Sequence, residues 1–127
     1  MAMKFANYGF GIAQELLNRA RYEAIQVTLD FNSANSKLIN TDDAGHKYIP
    51  AGAIIVDGGK SQNEAKAVSG NIMGVNLYDV YEDRPQAAVL KKAYIKKAVM
   101  LANTGYTESG AAVTALLADN SMRFVLE

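Results

Sequence analysis

Apolar and polar positions recur along this chain with two different periods, and the switches between them predict its elements. Residues 24–31 give the clearest signal: Ile25, Val27, Leu29 and Phe31 fall on one side, and Gln26, Thr28 and Asp30 on the other. A period of two predicts a half-buried strand. The preceding stretch, 12–24, reads with a helical period. Ile12, Leu16, Arg19 and Glu23 share one line, Ala13, Leu17 and Ala20 flank it, and Glu15 and Arg19 have the spacing of a helical ion pair. Residues 1–10 show neither period. Phe5, Tyr8 and Phe10 around Gly9 read as an extended arm, whose aromatics either cap the core or order on a partner.

Beyond Asp30 the pattern is punctuated by turns. Asn32-Ser33-Ala34-Asn35-Ser36 is a turn cluster, and Lys37-Leu38-Ile39-Asn40 reads as a returning hairpin strand. A polar loop over 41–47 leads to Ile49-Pro50-Ala51-Gly52, and Ala53-Ile54-Ile55-Val56-Asp57 is an apolar run typical of a buried strand. Gly58-Gly59 ends it, and 60–70 reads as a loop with at most one helical turn. Residues 72–81 predict a strand with Met73, Val75 and Leu77 on one side, closed by the Pro85 turn. Residues 87–102 are rich in helix formers, yet Val89, Ala93, Ile95 and Val99 alternate. Their position directly after a strand and a proline turn favours a strand in a meander. Thr107 or Ser109 is placed to cap a helix ending near Ala118, and 122–126 alternates as a closing strand.

The expected fold is therefore mostly β with minor helix (α+β). It has a meander or barrel-like body, an N-terminal helix, and a short C-terminal helix before a closing strand. Composition adds bounds. The 127 residues, half of them apolar, suit a single domain with one core. The lack of cysteine excludes disulfide frameworks, thiolate zinc sites and cysteine nucleophiles. Thirteen basic and thirteen acidic residues cancel, so the chain lacks the broad positive field of a duplex binder. Near-zero net charge also lowers the barrier to self-association. The start of the chain lacks the apolar region of a secretory signal, and no stretch reaches membrane-spanning length.

Each possible chemical site lacks a part. His46 follows Asp42 and Asp43 in a polar loop, but a transition-metal site usually takes three or four ligands. Gly58-Gly59-Lys60-Ser61 resembles the end of a phosphate-binding loop. The glycine required five residues before Gly59 is replaced by Ile54, and no clear helix follows. Asp79, Glu82 and Asp83 sit at a turn with no second acidic cluster to oppose them. Lys91, Lys92, Lys96 and Lys97, interleaved with Tyr94, make the only basic run. On an exposed strand such lysines guard against edge aggregation or meet a protein partner. Without arginines or a stacking platform they are a weak case for single-stranded nucleic acid. No catalytic, cofactor or metal residues are expected.

Three stretches carry a resemblance: Ile49-Pro50-Ala51-Gly52-Ala53-Ile54-Ile55, then Gly74-Val75-Asn76-Leu77-Tyr78-Asp79-Val80, then the strand, short helix and closing strand of the C-terminal part. Over residues 48–127 the chain resembles the lambda-type capsid decoration (head-stabilising) proteins of tailed bacteriophages. The resemblance implies a non-enzymatic virion protein on the capsid exterior, made in the host bacterial cytoplasm and trimeric. It implies the major capsid protein as partner, and neither nucleic acid nor membrane. The predicted helix at 12–24 departs from the family's extended arm. Phe5, Tyr8 and Phe10, with Lys91, Lys92 and Tyr94, are the expected capsid or oligomer contacts. The rival expectations are another phage assembly module (tail tube, connector or fibre base), and a small nucleotide-binding domain or enzyme using the Gly58 loop or His46.

Overall fold

A computed structural model describes residues 16–63, 71–119 and 122–127. Nine strands and two helices account for most of them. In chain order they are β1 (Leu17–Thr28), β2 (Asn40–Thr41), β3 (Lys47–Ile49), β4 (Ile54–Val56), β5 (Lys60–Gln62), β6 (Ile72–Asn76), β7 (Val80–Tyr81) and β8 (Gln86–Ile95). Helices α1 (Lys97–Thr104) and α2 (Ala111–Ala118) follow, and β9 (Arg123–Leu126) closes the chain. One sheet runs β1-β8-β6-β4-β5, all antiparallel, with β9 added parallel to β8; the other is β2-β3-β7. The mostly β class with minor helix is as expected. Within the first sheet β1 and β5 do not pair, so it is open rather than a closed barrel.

Strand β8 organises the first sheet. One of its edges carries β1 along the whole length, from Thr28 opposite Gln86 to Leu17 opposite Ile95. The other edge is shared: Leu90 and Val89 pair with Val75 and Asn76 of β6, and the residues from Lys92 to Ile95 pair with β9. Val89, Leu90, Ala93 and Ile95 are all buried, so both faces of the strand are covered at its centre. Gly74 makes this packing possible. A β-carbon there would lie 2.0 Å from the carbonyl oxygen of Leu90, closer than any contact allows. Gly59 does the same for the β4–β5 hairpin, with φ of +75° and a would-be β-carbon 2.2 Å from the carbonyl oxygen of Thr28.

Several expectations are corrected. Residues 17–24 are strand, not helix; 12–15, and the arm with Phe5, Tyr8 and Phe10, lie outside the described residues. The helical expectation fails because Arg19, Arg21 and Glu23 also alternate with Ala20, Tyr22 and Ala24, and pairing with β8 at Leu17 and again from Tyr22 onward holds the stretch extended. The strand expected over 24–31 ends at Thr28, and Ile25 stays 40% exposed rather than entering the core. Residues 60–62 form β5 rather than loop, and the hairpin partner of the short β2 is β3. The strand expected over 72–81 breaks after Asn76. There the side-chain Nδ2 donates to the carbonyls of Ile49, Pro50 and Tyr78, and the chain crosses to the second sheet as β7. In that sheet Tyr48 faces Tyr81, with ring centroids 5.3 Å apart.

Residues 87–102 are both things. β8 stops at Ile95, and α1 begins after Lys96, whose N–H donates to the carbonyl of Leu16. The helix buries Met100 and ends at Gly105, in the left-handed region at φ +78° with its N–H on the Leu101 carbonyl. The second helix is preceded by Gly110 without a side-chain cap, so neither Thr107 nor Ser109 caps it. Between the helices, buried Tyr106 ties them to the sheet. Its hydroxyl donates to the carbonyl of Gln62 (2.6 Å) and accepts from the N–H of Ile54 (2.9 Å). Among the described residues no helix is long and apolar enough to cross a membrane.

Replacing Tyr106 by Phe removes both bonds and leaves two buried backbone groups unpaired. It should cost about 1–3 kcal/mol, read as a lower urea midpoint at unchanged slope; an unchanged midpoint would show that the tie carries no stability.

Candidate functional site

The fold brings the expected lysine strand into company that its own sequence does not reveal. At the end of β8, Lys92 and Tyr94 point to the exposed side while Ala93 and Ile95 are buried. The parallel register with β9 sets Arg123 beside Lys92 and Val125 beside Tyr94. On the other edge Glu23 of β1 faces Lys92, and their side chains meet at 3.5 Å. An irregular stretch between Leu17 and Tyr22 leaves the residues between them without ladder partners on β8. It brings the Arg19 guanidinium over the Tyr94 ring, 4.8 Å from the centroid. Arg19 also clamps Glu127 through two bonds, Nε to Oε1 at 3.2 Å and a terminal amino group to Oε2 at 3.1 Å, and Asn18 donates to Oε1 at 2.6 Å.

The result is an exposed margin built from three strands. Tyr94 is 38% exposed, Val125 45%, Tyr22 46% and Leu117, at the end of α2, 51%. An open groove of about 810 Å³ runs between them, with Arg21, Lys92 and Arg123 among its lining residues. Large exposed apolar and aromatic side chains gathered with arginines are the composition of a protein–protein contact. Charge of both signs, with Glu23 and Asp119 also lining the groove, tempers any attraction for a polyanion.

Of the residues singled out from sequence, the structure unites Lys92 and Tyr94 in this margin. Lys91 is only half-exposed, at the register shift where Glu23 faces Lys92 but Ala24 faces Leu90. Lys96 and Lys97 leave the strand, and Lys97 pairs with Glu108 at 2.6 Å. The lysine run is therefore not one patch. Phe5, Tyr8 and Phe10 lie outside the described residues. Arg19, Arg21 and Arg123 were missed. The first two were hidden by the helical reading of 12–24, although their alternation with Ala20 and Tyr22 was visible. Arg123 sat in a strand expected to close the chain but assigned no partner.

The remaining chemistry is local structure. Asp42 accepts from the N–H groups of Ala44 and His46, an Asx turn, and His46 lies exposed with Nδ1 3.7 Å from Asp42. No group of three metal-capable side chains occurs among the described residues. Gly58 and Gly59 turn a tight hairpin. Ser61 is buried, its hydroxyl donating to the carbonyl of Leu38 and accepting from the N–H of Leu38. Asp79 accepts from the N–H of Ala51 and so braces the turn before β4. Comparison of the chain with protein-family models, curated proteins and solved structures gives no match.

The hydrogen bond from Arg19, then that from Asn18, and the Arg19 charge hold the Glu127 carboxyl below its ordinary value of 4.5. A depressed folded-state value adds stability that is present above 4.5 and is lost as pH falls through the lower folded value. Wild type should therefore exceed Glu127→Gln in urea midpoint at neutral pH. The gap should close as the solution is acidified below that range; a gap independent of pH would contradict the clamp.

Proposed function

We propose that this chain is a structural protein of a phage virion, a decoration or cement protein that binds the outside of the capsid shell. The margin formed by β1, β8 and β9 is the observation that carries the reading. Tyr94 and Val125 stand exposed side by side on one face of the sheet, with Arg19 over Tyr94, Arg123 beside Lys92 and Leu117 exposed at the end of α2, an arrangement fitted to a protein partner. The resemblance over residues 48–127 supplies the class of partner, the major capsid protein. A cement protein acts by mass action. It binds the assembled shell and not its dissociated subunits, so its binding energy adds to the stability of the shell. Such a role asks for interface area and a stiff support, both of which this sheet offers.

The purified protein should co-sediment with expanded capsids assembled from the major capsid protein of the same genome, saturate at a fixed stoichiometry and raise the temperature of shell disruption. Combining Tyr94→Ala with Val125→Asp should weaken that binding by about a hundredfold, as expected for two central contacts. A protein that leaves expanded capsids unbound and their disruption temperature unchanged would sink the reading.

A further inference from the structure

We infer that two copies of this chain associate edge to edge along β1, antiparallel about a two-fold axis through Tyr22, with Arg21 of each copy opposite Glu23 of the other. The two edges of the large sheet are unequal. Beside β5, the N–H of Lys37 donates to the carbonyl of Ser61 at 2.8 Å and the N–H of Ser61 to the Ser36 hydroxyl at 3.2 Å, so that edge is covered. Along β1 no described strand lies on the side away from β8. Its residues 21–26 are exposed without exception, on both faces of the sheet, and they include Tyr22 and Ile25. A long, open edge with exposed apolar side chains is a template for another strand.

The occupant is written in the strand itself. An antiparallel pair of identical strands keeps each residue on its own face only if the two-fold axis passes through a residue position. With Tyr22 at the centre, Arg21 meets Glu23 twice, Arg19 meets Ile25, Asn18 meets Gln26 and Leu17 meets Val27. Moving the centre to Arg21 sets two guanidinium groups opposite each other, and moving it to Glu23 sets two carboxylates opposite; like charges so placed are unfavourable. Centres at Ala24 or Ile25 leave both charges facing apolar residues. Only Tyr22 satisfies both signs. Among the described residues Arg21 has no ion-pair partner, and Glu23 meets Lys92 through one oxygen, at 3.5 Å. The irregularity between Leu17 and Tyr22 keeps the new ladder short, centred on residues 21–23, with side chains extending the contact on either side. This isologous contact is two-fold, unlike the three-fold one that the resemblance implies. It does not depend on capsid binding.

The test is reciprocal charge reversal followed by sedimentation equilibrium. Wild type should populate a dimer, and Arg21→Glu and Glu23→Arg should each raise the dimer dissociation constant by about tenfold or more. An equimolar mixture of the two variants should dimerise again, because each then supplies the charges that the other needs. Both sites are exposed, so the fold should be intact by circular dichroism. A second arm uses the absence of cysteine from the chain. Directly opposed strand residues lie within disulfide reach, so Tyr22→Cys should oxidise to a covalent dimer well before Ile25→Cys does. A wild type that is monomeric or trimeric throughout, a mixture that fails to re-associate, or equal crosslinking at both positions would each overturn the inference.

Discussion

The structure depends on β8 being shared by three strands at once. A strand has two edges, and β8 gives one wholly to β1 and divides the other between β6 and β9. That division fixes the rest. Where β6 pairs, Val89 and Leu90 are buried and the sheet is a two-sided core; where β9 pairs, Lys92 and Tyr94 face outward and the sheet is one-sided. The change occurs around Lys91, where the register with β1 shifts by one residue and the alternation of faces is reset. One strand thus serves as core at its start and as surface at its end. Gly74 is the local condition for this, since any side chain there would strike the Leu90 carbonyl.

The margin follows from the same geometry. Because β1 is the last strand on its side, Tyr22 and Ile25 cannot be covered by a further strand of the described chain. Because β9 is short and parallel, it delivers Arg123 and Val125 beside Lys92 and Tyr94 on the exposed side of the sheet, where Arg19 alone is seen to lie over Tyr94 among the described residues. The stiff core beneath holds these side chains in place, which lowers the entropy lost when a partner covers them. Arg19 illustrates the economy of the arrangement. Its guanidinium lies over Tyr94 and its forked donors hold Glu127, so one side chain from β1 fastens the end of β9 and orders an exposed aromatic ring.

Much of the fold was legible in sequence where the signal was local. The apolar run at Ile54-Ile55-Val56, the strand beginning at Ile72, the short helix through Leu116 and the closing strand all follow from periodicity, and all are present. What was not legible depended on tertiary partners. Residues 17–24 fit two periods, and only the presence of β8 alongside selects the strand. The stretch 87–102 fits two states because it adopts both, the switch falling at Lys96 where its N–H meets Leu16. Asn76 reads as an ordinary polar position within a strand, yet its buried side chain holds three carbonyls at the crossing between sheets. The candidate site shows the same division. Lys92 and Tyr94 could be picked out from the sequence; their neighbours Arg19, Arg21, Arg123 and Val125 lie far away along the chain and are brought in by pairing alone.

If this margin is where the protein assembles, backbone protection of β1 must change on association while the core does not. Amide hydrogen exchange, followed residue by residue from dilute to concentrated protein, measures this directly. The amides of residues 21–23 that point away from β8 should slow by about tenfold or more at high concentration, while those of β6 keep their rates, since the core strands open only with wider unfolding. Equal exchange of β1 at every concentration would contradict the account, because the edge would then remain open however much partner was present.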